Sequence, residues 1–257
     1  MAKWTAFPYD SAAYHLDAAA LKKHWARLHA GDVEPWPKDD AVQADWAMFH
    51  AGEFQKAFDA GMKLGTAGLA VANKAQCIHA NYLEKSEKNK LSMFLDAAER
   101  AVAHQAAEPK NPNAWYWQAY ALGRYSQGIS VAKALTQGLG GKVKTALETT
   151  IKLQPKHADA HIALGAFHAE VIDKVGKLLG RTQGADVATG LKMFKEALRL
   201  NPGSAIAMIE CANGLVMLEG EKRMKEAEQL YAEAAACQPM DAMERLDVEM
   251  AKAELED

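Results

Sequence analysis

The chain has 257 residues, 49% of them hydrophobic and 25% charged, and a formal net charge of −3 from 30 Lys and Arg against 33 Asp and Glu. That length can bury a substantial core, and the near-balanced charge lacks the basic face that a nucleic-acid partner requires. No stretch approaches the roughly 18 uninterrupted apolar residues of a membrane span, so neither nucleic acid nor membrane is expected as a partner.

The first stretch, MAKWTAFPYDSAAYHLD, lacks the apolar core and small-residue cleavage site of a secretory leader. Cys77, Cys211 and Cys237 are odd in number and widely spaced. They fit no disulfide or zinc framework and read as reduced core residues of a cytoplasmic protein.

Residues 1–40 read as an N-terminal segment leading into a single all-α domain. Ala, Leu, Lys, Glu and Met dominate the rest of the chain, and alternating β-branched runs are missing. Over residues 41–108 two irregular helical pairs are expected. The first is DDAVQADWAMFHAGEFQKAFDAGMKLG, with Gly52 in its turn; the second joins TAGLAVANKAQCIHANYLEKS to NKLSMFLDAAERAVAHQAAEP.

Residues 109–239 carry a repeat. PKNPNAWYWQAYAL, PKHADAHIALGAFH and PGSAIAMIECANGL each place a bulky residue (Trp115, His161, Met208) six positions after a proline. A small residue follows (Ala119, Gly165, Ala212), then a larger one (Leu122, His168, Leu215). Each copy ends in a second helix, KVKTALETTIKLQP, GLKMFKEALRLNP or EAEQLYAEAAACQP.

This pattern resembles the tetratricopeptide repeat (TPR), a 34-residue helix–turn–helix unit. The likeness is to bacterial TPR proteins of unassigned function, and more distantly to the T component of TRAP-type transporters and to regulator-of-microtubule-dynamics proteins. It implies a helix–turn–helix solenoid. The prolines Pro109, Pro155, Pro202 and Pro239 lie 46, 47 and 37 residues apart, so two units carry insertions, RYSQGISVAKALTQGLGGK and EVIDKVGKLLGRTQG. Both read as a first helix prolonged by two or three turns and then stopped at glycine. Residues 240–257 read as a capping helix with a polar outer face.

PKHADAHIALGAFHAE holds three histidines that could suggest a metal site. In the repeat register His161 and His168 take the bulky packing positions, and His157 precedes the helix. Seven helical residues span about 10 Å, a long reach for two ligands of one ion. Packing is the expected role, and no cofactor is expected. TQGLGGKVKT lacks both the spacing and the Ser or Thr of a phosphate loop. No nucleophile elbow or dinucleotide fingerprint occurs.

The resemblance further implies that the first helix of each unit faces a concave groove. That places Asn113, Tyr116 and Tyr120 in one unit, Asp159 and Ile162 in the next, and Asn213 in the last, along the groove. Arg124 stands beside aromatics, where a guanidinium can meet a carboxylate or stack on a ring. The leading expectation is a non-enzymatic adaptor binding a protein or peptide segment there, and a homo-oligomer is compatible with it. The alternative is a small-molecule-binding protein whose extended helices enclose a pocket.

Overall fold

The computed structural model describes residues 3–256. Thirteen α-helices and three short 3-10 turns make up its regular structure, with no strand among the described residues. Helix α1 (Ala18–Leu28) is followed by five antiparallel pairs and a last helix. The pairs are α2 (Asp40–His50) with α3 (Phe54–Lys63), and α4 (Leu69–Tyr82) with α5 (Glu87–Ala107). Next come α6 (Pro112–Ile129) with α8 (Leu139–Leu153), and α9 (Ala158–Thr182) with α10 (Val187–Leu200). Helices α11 (Ala205–Glu219) and α12 (Met224–Ala235) form the fifth pair, before α13 (Ala242–Glu256).

Local chemistry sets the starts. Asp17, Asp39, Ser86, Asn111, Asp186 and Ser204 each cap a helix by accepting a backbone N–H of its first turn. Asn111 is followed by Pro112 at the first helical position, where its missing N–H costs nothing. Gly52 makes the α2–α3 turn with φ of 83°. A side chain there would also strike Phe7, at 2.8 Å, and meet Ala242 at the start of α13, at 3.0 Å.

Close packing between units rests on small residues. Phe194 of α10, 1% exposed, lies between Gly165 of α9 and Gly214 of α11. A Cβ at those glycines would fall 2.9 and 2.2 Å from its ring.

The insertions differ from a simply prolonged helix. In the first, α6 ends at Ile129, Ser130 takes φ of 79°, and a separate short helix α7 (Val131–Thr136) packs on α6, α8 and α9. In the second, α9 breaks at Gly176, φ 78°. Ser130 and Gly176 occupy the same offset from their prolines, as do the stops Gly138 (φ 72°) and Gly184 (φ 75°). Left-handed backbone cannot continue an α-helix, so each insertion turns aside where the sequence pattern reads as continuous.

The N-terminal segment holds more structure than its composition suggests. Leu21, Trp25 and Leu28 of α1 are buried with Trp46, Phe49, Phe54 and Val71 in an N-terminal core. Ala242 and Leu246 of α13 enter that same core, while Val248 and Ala251 pack on α11 and α12. The last helix thus caps the array and also reaches back to its first helices.

Candidate functional site

The first helices of four pairs, α4, α6, α9 and α11, and the last helix α13 face a common space. A cavity of 130 Å³ remains between them. One end is apolar, walled by Trp117, Leu135, Leu147, Phe167 and Val171 under α7. The other end is polar, with Lys74, Tyr82, Tyr116, Asp159 and Asp247. A second opening of 310 Å³ adjoins it and shares Tyr82, Arg124, Gln127, Ala166, Glu170 and Glu210.

Chain segments remote in sequence close the polar end. The stretch after α1 crosses α4, α6 and α9. Gly31 O accepts from Asp159 N at 3.1 Å, Lys74 Nζ donates to Asp32 Oδ2 at 2.6 Å, and Asn113 Nδ2 donates to Glu34 Oε2 at 2.5 Å. A side chain at Gly31 would push the Asp159 carboxylate aside, since a Cβ there would fall 2.3 Å from it. Helix α13 is pinned by Arg27–Glu244 at 2.5 Å, His50 Nδ1–Asp241 Oδ2 at 2.7 Å, and the Tyr82 hydroxyl donating to Asp247.

These buried groups are electrically unusual. Lys74 is 2% exposed and lies 5.6 and 5.2 Å from the centres of the Trp46 and Phe49 rings. Asp32 overcomes its desolvation because Lys74 and His29 hold its carboxyl well below the usual range. Burial, reinforced by Asp32, pushes Glu34 up to about 8 and Asp159 up to about 7. Burial likewise raises Glu170 to about 7 and Asp247 well above its ordinary value. His29 and His157 are lowered to about 4, chiefly by desolvation.

The residues singled out in the sequence sort around this space. Tyr116, Tyr120, Arg124, Asp159 and Ile162 line the cavity, while Asn213 lines only the outer opening and accepts from the Tyr231 hydroxyl at 2.8 Å. Asn113 is fully buried beneath Glu34 and is no part of an open surface. The Arg124 guanidinium lies 5.4 Å from the centre of the Tyr120 ring and pairs with Glu210 at 2.7 Å. Trp115 packs at the core margin and donates to Pro109 O.

All three histidines are buried in hydrogen-bonded positions. His157 caps α9 by accepting Ala160 N at 3.1 Å through Nδ1, and its Nε2 donates to Asn113 Oδ1 at 2.9 Å. His161 Nδ1 donates to His157 O at 2.9 Å. His168 Nδ1 accepts Asp186 N at 2.9 Å at the start of α10. The repeat pattern does not point to Lys74, Asp32, Glu34, Asp247, Glu170 or Glu210. Lys74 alone leaves a trace, as a single cation in the otherwise uncharged stretch LAVANKAQCIHANY.

Among solved structures, a thermophilic TPR protein of Thermus thermophilus, TTC0263, superposes with a TM-score of 0.58 at 17% identity. The match covers 83% of this chain and 98% of that one. The MamA protein reaches 0.41 at 16% identity over 85% and 94% of the two chains. YrrB, described as a TPR protein with an unusual peptide-binding site, reaches 0.42 at 12% over 92% and 100%. At these identities the first likeness establishes the TPR fold and nothing finer. No curated protein matches the chain. A family model, regulator of microtubule dynamics protein 1-3, matches residues 68–257. That stretch holds every helix from α4 to α13 and the whole cavity wall, and the chain belongs to the regulator of microtubule dynamics protein 1-3 family.

Proposed function

We propose that this protein acts by binding rather than by catalysis, and that its ligand is a compact, largely apolar molecule held in the cavity between α6, α9 and α13. The observation that carries this reading is the cover over the concave face: Asp32, Glu34 and Gly31 bond to α4, α6 and α9, and α13 lies across the rest. An extended peptide laid along that face would have to displace both. Ala166 lines both the cavity and the adjoining opening, which makes it the position to block. The non-enzymatic part is supported by the three histidines of α9 and its cap, which serve helix starts and buried hydrogen bonds.

Native mass spectrometry of protein purified without added ligand tests the reading, with Ala166→Phe as the blocked comparison. A small molecule retained by wild type and lost from the folded variant is the expected result. A bare wild-type mass, with no affinity for small apolar probes, would overturn it.

A second reading has its own support. The outer opening carries Asn81, Gln127, Asn213 and Arg124, groups suited to hydrogen-bonding a protein segment. A partner captured from native lysate by wild type and lost from an Arg124→Ala, Gln127→Ala, Asn213→Ala variant would favour this adaptor role.

A further inference from the structure

Carboxyl groups outnumber cations in the cavity lining. Its two cations are already matched: Lys74 donates to Asp32 at 2.6 Å, and Arg124 donates to Glu210 at 2.7 Å and to Gln127 Oε1 at 3.1 Å. Three further carboxyls face the same space without a cation of their own, Asp159, Glu170 and Asp247. Glu170 is bonded by the neutral Gln127 amide and Asp247 by the neutral Tyr82 hydroxyl. The Asp159 carboxyl accepts no hydrogen bond from any described residue.

A second, independent feature lies beside it. Tyr116 is 5% exposed and packs edge-on against Trp117 and at a tilt against His157, with ring centres 4.9 and 4.6 Å away. Tyr116 lines the cavity, and its hydroxyl makes no hydrogen bond among the described residues. A hydroxyl with no protein partner leaves both its donor and its lone pairs open to a ligand. Burial raises the proton affinity of all three carboxyls, and a cation bound beside them would lower it again by favouring the charged form.

Resting on the cavity-binding reading, we propose that the ligand is an organic cation: an ammonium group received by Asp159 and the Tyr116 hydroxyl, carried on an apolar stem lying among Trp117, Leu147 and Phe167. Each part of the site then has its counterpart. The ammonium supplies donors to Asp159 and to the free lone pairs of Tyr116, and the stem meets the apolar wall. A dry cavity of about 150 Å³ accepts benzene, so 130 Å³ admits a stem of about one ring.

Benzylamine and its neutral analogue benzyl alcohol are the probes, titrated by calorimetry into wild type, Asp159→Asn and Tyr116→Phe, each variant first shown folded by its urea transition. The expected result is benzylamine binding at least about tenfold tighter than the alcohol, with Asp159→Asn removing that preference and leaving alcohol binding unchanged. Equal affinities in wild type would overturn the cation while leaving the cavity reading intact. Binding of neither probe would overturn both. Nα-acetyl-lysine amide distinguishes the source of the ammonium. Tighter binding of this compound than of benzylamine assigns the group to a partner's lysine side chain, and weaker binding assigns it to a free amine. Preference for the alcohol, or preservation of the amine preference in Asp159→Asn, would refute the assignment even if all variants fold.

Discussion

Replacing Lys74 by Met removes one charge from the pair that fastens the segment after α1 to α4. The Met keeps most of the apolar stem against Trp46 and Phe49, so the loss is chiefly electrostatic. Breaking a buried ion pair by deleting one partner costs about 3–5 kcal/mol, because the other charge stays buried. Asp32 retains His29 Nδ1 at 2.8 Å and Glu34 N at 3.3 Å, which places the expected loss near the lower bound, about 3 kcal/mol. For a domain of this size that corresponds to a fall of about 6–12 °C in Tm. Asp32→Asn alone should cost a similar amount, since it strands Lys74. The double variant should cost less than the sum, with a coupling of about 2 kcal/mol measured by urea denaturation of the four proteins. A coupling below about 0.5 kcal/mol, or a single-variant loss below about 1 kcal/mol, would refute the idea that this pair holds the cover in place.

Titration gives a second test. Glu34 binds its proton more tightly folded, at about 8 against an ordinary 4.5. Its contribution to stability is therefore complete below about 4.5 and lost as pH rises through 8. Glu34→Gln should flatten the decline between about pH 5 and 8 in urea-derived stabilities. The lowered histidines act oppositely: His29 and His157, at about 4 against 6.5, contribute stability above 6.5 that is lost as pH falls toward 4. Gly214→Ala should destabilise by about 1–3 kcal/mol through overpacking against Phe194, read as a lower urea midpoint. Ser130→Gly and Gly176→Ala should shift that midpoint in opposite directions, each by about 1 kcal/mol. The first relieves a left-handed non-glycine residue and the second creates one.

The repeats are legible because their signals are local. Pro112 at a helix start, the caps Ser86, Asp186 and Ser204, and the glycine stops act within a turn or two of where they sit. The same locality explains what escapes the sequence. Ser130 gives no hint there that its backbone turns left-handed. Helix α1 has the cap Asp17 and the Leu21, Trp25, Leu28 stripe, but a short amphipathic run is a weak signal without its partner helices. The repeat register puts Asn113, Tyr116, Tyr120, Asp159, Ile162 and Asn213 along one groove. In the structure Tyr116, Tyr120, Asp159 and Ile162 line the cavity, Asn213 lines only the outer opening, and Asn113 is buried. The register cannot put Glu34 over Asn113, 79 residues away, or Asp247 against Tyr82, 165 residues away. Those contacts depend on how the array curves, which no single repeat encodes.

Helix α13 packing into the N-terminal core changes how the array should come apart. An open solenoid is a one-dimensional chain of neighbours, and its end units fray first. Here the last helix contributes Ala242 and Leu246 to the core of the first helices, so the chain of neighbours closes into a circuit. Loosening either end then disturbs both, and the outermost pairs are the ones made interdependent. Hydrogen exchange should accordingly find α2 and α13 opening together in one cooperative unit, as a globular domain opens, instead of as two separately fraying tips.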